Sequence, residues 1–177
     1  MLKKLFLCLL YLFILGMLSL LVGRILPKSW FLENSFPYRL LPFEKEGRIY
    51  KKININRWQN KIPDMSKILP KLMPKKSLED FSKNADDIKL LITESCIAEC
   101  IHGIVCIAGF YCMKIWSGFG GVFISLLAFA VNLIYIIIQR YNRPRLIQLY
   151  ERLKRREGCR VEEEPIDDVA MATQKIV

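Results

Sequence analysis

The sequence predicts an all-α integral membrane protein, because long apolar stretches alternate with strongly basic ones. Of its 177 residues, 53% are hydrophobic, and the formal net charge is +10. This combination is typical of a small membrane protein with one positively charged side and is uncommon in soluble domains. The chain divides into an N-terminal transmembrane helix (residues 1–26), a basic and aromatic interfacial region of short helices (27–88), a transmembrane helical hairpin followed by a C-terminal amphipathic basic helix (89–160), and a flexible acidic tail (161–177).

The first element is an apolar run at residues 5–22, which follows Lys3 and Lys4. The run is longer than the hydrophobic region of a usual signal peptide, and Gly23-Arg24 behind it is a poor cleavage context. Its length approaches the roughly 20 residues that cross a hydrocarbon core. We therefore expect a retained membrane helix.

The interfacial region mixes cations with aromatic residues between two membrane segments. Such a mixture also occurs in nucleic-acid-binding proteins. Beside membrane spans it favours an anionic leaflet instead, with rings at the headgroups and lysines at the phosphates, and we expect no nucleic-acid partner. Prolines divide the region into pieces and so predict short helices and turns. They occupy positions 27, 37, 42, 63, 70 and 74.

The central apolar run, from about residue 90 to 115, contains carboxylates and the only histidine of the chain. Four residues share one helix face, at intervals of four, three and four: Ser95, Glu99, His102 and Cys106. Glu94 lies to the side of this face. Ionisable groups in a membrane span are costly and by default indicate a functional site that faces protein or a wet cavity. The alternative is a Glu–His hydrogen bond that only joins helices.

A second apolar run, residues 122–138, returns across the membrane after a glycine-bearing turn. Asn132, Tyr135 and Gln139 form a polar stripe on it, at intervals of three and four residues. If the outgoing helix enters the membrane near residue 90, Glu99 and His102 lie roughly 12–18 Å deep, and the depth of Glu99 is close to that of Asn132. We therefore expect the two polar stripes to face one another across one pocket.

Pro144, just beyond the hairpin, predicts the first turn of a new helix. That helix would carry Leu146, Leu149 and Leu153 on one side and cations on the other, so we expect it to lie in the membrane interface. The residues after 160 are acidic and predict the flexible tail.

Cations are dense at both ends of the hairpin and sparse at its turn. This distribution predicts a multi-pass protein of the cell membrane, with its basic regions in the cytoplasm and its N terminus outside. Five of the six cysteines lie in apolar runs, which predicts reduced, buried thiols. Cys96, Cys100 and His102 lack a loop geometry that would bring them to one ion, so we expect no metal site.

Several of these residues resemble a known family, the glycosyl-4,4'-diaponeurosporenoate acyltransferases, which complete staphyloxanthin-type carotenoids. The similarity extends from about residue 27 to 156, in the same order. It is carried by the following residues: Glu94, Glu99 and His102; the run Asn142-Arg143-Pro144-Arg145; and Trp58, Lys61 and Asp64 upstream. The resemblance implies transfer of a fatty acyl group onto a primary sugar hydroxyl of a membrane-embedded glycolipid. The acyl donor would be an acyl thioester co-substrate, and no cofactor is implied.

On this hypothesis His102 is the general base that removes the hydroxyl proton, an effect typically worth 10²–10⁴ in rate. Glu99, one turn away, would orient the imidazole and stabilise its cation. Glu94 would be a second orienting group or a proton outlet near the interface.

Three further groups would bind the substrates. The first would hold the phosphates or carboxylate of the donor, unless it is only a topology signal in contact with phospholipid: Asn142, Arg143, Arg145 and Arg140. The second would line the pocket: Asn132, Tyr135 and Gln139. The third would form a second wall of the entrance, unless it is an interfacial anchor: Trp58, Lys61 and Asp64.

Three functions remain open at this point. The chain is an acyltransferase of the kind just described, an acyltransferase for a different glycolipid, or a non-catalytic membrane scaffold. Its partners would be membrane lipids, the glycolipid acceptor and the acyl donor. Three spans can hardly enclose a lipid pocket alone, so a homodimer or a complex with other enzymes of the pathway is also expected.

Overall fold

The computed structural model describes residues 1–44, 47–63 and 84–163, with side chains up to residue 157. Every regular element among these residues is helical. The α-helices are α1 (Leu2–Ile25), α2 (Ile55–Trp58), α3 (Ala85–Ala108), α4 (Cys112–Ile115) and α5 (Phe119–Glu163). The predicted all-α membrane architecture is confirmed.

Three segments of the described chain are long and apolar enough to cross a membrane: Leu2–Ile25, Ala85–Ile115 and Phe119–Glu157. The middle segment comprises α3, a 3-10 turn at Gly109–Tyr111 and α4. The third belongs to α5 and returns beside the middle segment. The N-terminal helix and the helical hairpin therefore form as the sequence predicts.

The ends of the hairpin helices have local causes. The side chain of Asn84 caps α3 by accepting a hydrogen bond from the Asp86 backbone N–H at 3.1 Å. Asp86 and Asp87 stand in the first turn, where negative charge is favourable. Between α4 and α5 the chain turns at Gly118, whose φ of +96° is accessible mainly to glycine.

Helix α1 packs antiparallel to α3. Near its start, Cys8 is buried against Cys112, and the Tyr11 hydroxyl donates to the Ala108 carbonyl at 2.9 Å. Near its end, Gly23 lies so close to α3 that a Cβ there would stand 2.5 Å from Cδ1 of Ile101. The N terminus and the hairpin turn therefore share one end of the bundle, and the basic segments share the other.

Residues 26–44 and 47–63 fold over the basic end of the bundle as short helical pieces, as predicted. Phe31 and Tyr38 are buried against Cys96 and Ile97 of α3. The 3-10 turns of this segment are Lys28–Trp30, Pro42–Glu44, Arg48–Ile53 and Gln59–Lys61, with α2 between the last two.

The prediction that Pro144 begins a separate interfacial helix is wrong, because α5 continues through Pro144. The apolar side of the basic segment, which includes Leu146 and Leu153, packs on Ile88 and Ile92 at the start of α3. This packing continues the helix in spite of the proline and directs it along α3. Helix α5 ends at Glu163, and the rest of the predicted acidic tail lies outside the described residues.

The same packing places Glu99 relative to α1. The first three turns of α3 lie beyond the end of α1 and contact the basic half of α5. Glu99 falls between Ile97 and Ile101, the two residues that contact Gly23 near the end of α1. It therefore lies level with the end of the apolar part of α1, and His102 lies roughly 4–5 Å further into the bundle.

Candidate active site at the helical hairpin

His102 of α3 pairs with Asn132 of α5, as the two facing stripes predict. Its Nδ1 lies 2.9 Å from Oδ1 of Asn132, and Nδ2 of Asn132 donates to the Ala128 carbonyl at 2.8 Å. Because Nδ2 is engaged on its own helix, Oδ1 is the atom that meets the ring, and it can only accept. In the neutral imidazole this hydrogen bond places the proton on Nδ1 and leaves a lone pair on Nε2.

Tyr135 completes the surroundings of the histidine. Its ring stacks on the imidazole with a centroid distance of 4.7 Å and an interplanar angle of 6°. Its hydroxyl donates to the Pro63 carbonyl at 3.0 Å, which ties the end of the interfacial segment to α5. The ring of His102 is thus fixed by one hydrogen bond and one stacked neighbour, as a general base requires.

The predicted pairing of Glu99 with His102 is wrong. Oε1 of Glu99 lies 2.5 Å from Nη1 of Arg140, and Oε2 lies 2.5 Å from Nη2 of Arg143. Both carboxylate oxygens are therefore engaged by guanidinium groups, and Asn132 takes the place at the imidazole. Glu99 joins the two helices of the hairpin through its ion pairs.

Arg143 is a buried structural residue in this arrangement, with 1% of its surface exposed. Besides Glu99, its guanidinium donates to the Ser95 hydroxyl at 2.8 Å, to the Ser95 carbonyl at 3.2 Å and to the Tyr38 carbonyl at 2.7 Å. All three nitrogens are engaged by acceptors of the protein. The prediction that Arg143 binds the acyl donor therefore has no support from its surroundings.

Arg140 is held in the same way, by a residue that the sequence argument missed. Its Nε and Nη2 donate to the two carboxylate oxygens of Glu44 at 2.7 and 2.6 Å. It also donates to the carbonyls of Pro37 at 3.1 Å and Arg39 at 3.2 Å. The bidentate pair fastens the interfacial segment onto the hairpin. The sequence signal that could have identified Glu44 is that it is an acidic residue within a strongly basic stretch.

The chemistry of Glu44 follows from these contacts. Burial alone would raise its pKa, but the hydrogen bonds from Arg140, Tyr50 and the Leu41 backbone outweigh burial and lower the pKa to about 2. Burial and the hydrogen bond to Glu44 raise the pKa of Tyr50 to about 12. Glu44 is therefore a carboxylate, and Tyr50 a neutral donor, across the physiological range.

The remaining predicted residues near the arginines lie apart from His102. Arg145 is exposed, and its guanidinium lies 3.7 Å from the centre of the Tyr141 ring. Glu94, Gln139 and Asn142 are partly buried on the two hairpin helices. The structure places them near the basic end of the hairpin.

The upstream group is only partly described. The indole N–H of Trp58 donates to the Ile53 carbonyl at 2.9 Å, so this side chain bonds within its own short segment. Lys61 is exposed beside Pro63, and Asp64 lies outside the described residues. Within the described ranges, no three His, Cys, Asp or Glu side chains come together as a metal site requires.

Comparisons with known proteins identify a family. The family model of the glycosyl-4,4'-diaponeurosporenoate acyltransferases matches residues 27–152. Enzymes of that name from two strains of Staphylococcus aureus, MRSA252 and bovine RF122 / ET3-1, are each 31% identical over 157 residues. The alignments cover 87% of this chain and 92% of each relative. No solved structure matches.

Proposed function

The chain belongs to the glycosyl-4,4'-diaponeurosporenoate acyltransferase family and is an acyltransferase, and we propose that it transfers a fatty acyl group onto a sugar hydroxyl of a membrane glycolipid. The acceptor is the glycosylated carotenoid acid in the family's name, and the donor is an acyl thioester. The observation that carries the proposal is the His102–Asn132 pair, just inside the end of the apolar part of α1.

In the proposed reaction, Nε2 of His102 accepts the proton of the sugar hydroxyl while its oxygen attacks the acyl carbonyl. The C–S bond then breaks, and the leaving thiolate takes the proton from the imidazolium. Asn132 supports both steps, because its Oδ1 accepts from Nδ1 and stabilises the imidazolium. General-base catalysis of this kind contributes about 10²–10⁴ in rate.

The position of His102 supports an amphipathic acceptor. It lies roughly 4–5 Å beyond Glu99 toward the apolar part of the bundle. A soluble sugar would have to leave water to reach that level, whereas the sugar of a glycolipid is already held at the headgroups. The apolar body of the acceptor would remain among the hydrocarbon chains beside the hairpin.

The proposed setting is the cell membrane with the basic end of the bundle in the cytoplasm. The short basic segments and the basic half of α5 lie at the same end, which is the arrangement that the positive-inside rule favours. A reporter fused to the C terminus should therefore be active in the cytoplasm, and one fused to the N terminus should be active outside. The reverse pattern would contradict this orientation.

Mass spectrometry of membrane lipids tests the substrate assignment. Cells that produce the glycosylated carotenoid should accumulate its acyl ester when they express the chain. Cells expressing His102→Ala, at equal protein level in the membrane, should accumulate the unacylated glycoside. An unchanged carotenoid pool in cells that gain another acylated glycolipid would contradict the proposed acceptor.

A further inference from the structure

Residues 47–63 form a basic surface, here called the basic platform. The segment contains no Asp or Glu, and its cations are all exposed: Arg48, Lys51, Lys52, Arg57 and Lys61. Within the described part of the chain, no carboxylate pairs with the lysines or with Arg57. The charge of these lysines and of Arg57 is therefore available to an anion from outside the chain.

The basic platform is fixed to α5 at three points. A Cβ at Gly47 would lie only 3.4 Å from the Tyr141 carbonyl oxygen, so the backbone there contacts the helix directly. The Tyr141 hydroxyl donates to Oδ1 of Asn56, beside the fully buried Ile55. At the far end, the Pro63 carbonyl accepts from Tyr135. These contacts hold the exposed cations in a defined position relative to the hairpin.

One side chain connects the basic platform to the candidate base. Tyr135 stacks on the imidazole of His102 and donates to Pro63, two residues after Lys61. The end of the platform is therefore separated from His102 by the length of a tyrosine. Lys51 and Lys52 lie further from the site along the segment.

The arginines that the sequence suggested as the anion site are occupied. Arg143 donates to Glu99, Ser95 and Tyr38, and Arg140 donates to two carboxylates. A phosphate could bind there only by displacing buried ion pairs, which is costly. An anionic donor would instead meet the exposed cations of the platform.

We infer that the basic platform binds the phosphate groups of the acyl donor, a coenzyme A thioester, and so brings its acyl carbonyl to His102. This inference rests on the proposed function, because it supplies the donor for the same site. A nucleotide with several phosphates is long enough to contact several cations at once. Ammonium and guanidinium groups are the side chains that bind such phosphates.

The test is equilibrium binding of a hydrolysis-resistant thioether analogue of a long-chain acyl-coenzyme A to the full chain in detergent. The variant Lys51→Gln/Lys52→Gln/Lys61→Gln should weaken binding about tenfold or more, because it removes three of the exposed cations that would donate to the phosphates. The control Arg152→Gln/Arg155→Gln/Arg156→Gln removes the same charge from the exposed distal part of α5. It should bind the analogue as the wild type does.

Equal affinity of the wild type and the triple-lysine variant for the analogue would overturn the inference. If that variant also associated more weakly with vesicles containing phosphatidylglycerol, the platform would be a lipid contact. Because binding of the analogue needs no chemistry, His102→Ala should retain it. The experiment therefore distinguishes an error in the donor-binding role of the platform from an error in the proposed role of His102 as the base.

Discussion

Nη2 of Arg143 lies 2.5 Å from Oε2 of Glu99, so the acid in this membrane hairpin is paired with arginine. The pair connects α3 to α5, and Arg140 extends it to Glu44 in the interfacial segment. Two carboxylates and two guanidinium groups thus form a charge-balanced cluster at the basic end of the bundle. His102 stands outside it, with Asn132 as its partner.

The first prediction concerns the buried ion pair. Arg143→Ala should destabilise the protein by about 3–5 kcal/mol, because it leaves a buried carboxylate with one partner fewer. Thermal unfolding in detergent should show a clearly lower Tm, whereas Arg152→Ala, at an exposed position of α5, should not. An unchanged Tm together with weaker binding of the acyl donor would restore the assignment of Arg143 to the substrate.

The second prediction concerns Asn132. Asn132→Leu keeps the branched shape of the side chain but leaves Nδ1 of His102 without an acceptor, so the ring loses its orientation. We expect kcat to fall on the order of 10²-fold, as for other small misplacements of a catalytic group, with little change in KM. Val131→Leu, at an exposed neighbouring position, is the control. A wild-type kcat for Asn132→Leu would remove Asn132 from the mechanism.

The third prediction is a pH dependence of stability from Glu44. Its pKa is lowered from a reference of 4.5 to about 2. The carboxylate therefore stabilises the folded state above about pH 4.5, and this stabilisation is lost as the pH falls toward 2. The Tm difference between wild type and Glu44→Gln should be largest near neutral pH and should shrink as the pH falls below about 4.5. The control Glu33→Gln removes a charge from the same segment but leaves the contacts of Arg140 intact. A Tm difference between wild type and Glu44→Gln that stays constant down to pH 3 would contradict the account.

The fourth prediction uses two glycines with opposite surroundings. A Cβ at Gly121 would overlap the Trp116 carbonyl oxygen and lie 2.8 Å from that of Cys112, and backbone atoms cannot yield cheaply. Gly121→Ala should therefore cost about 1–3 kcal/mol. A Cβ at Gly103 meets nothing within 4 Å, so Gly103→Ala should raise stability by about 0.5–1 kcal/mol through the helix propensity of alanine. Equal Tm values for the two variants would contradict the close packing of Gly121 against the turn.

The long helices were predictable because the apolar runs are long enough to span a bilayer, whatever their neighbours. The continuation of α5 past Pro144 could not be predicted from the sequence. Proline removes one hydrogen bond of the helix, and local sequence rules weigh only that cost. The contacts of Leu146 and Leu153 with Ile88 and Ile92 are made by residues far apart in sequence, and these contacts keep the segment helical.

The candidate site, too, could be predicted only in part from the sequence. Helical spacing placed Ser95, Glu99 and His102 on one face, and the facing stripe with Asn132 could be inferred from depth. Spacing does not reveal which distant segment supplies the partners of a charged group. Glu44 and the Tyr38 carbonyl come from a proline-broken stretch with no periodicity, so the partners of Arg140 and Arg143 required the structure.

The most direct test of the account is acyl transfer by the purified chain in lipid vesicles, with the glycosylated carotenoid as acceptor and an acyl-coenzyme A as donor. His102→Ala should lower kcat by about 10²–10⁴. Its Tm should fall far less than that of Arg143→Ala, since the imidazole makes one hydrogen bond and one stacking contact within the described structure. A correctly inserted His102→Ala enzyme that turns over at the wild-type rate would contradict the central claim.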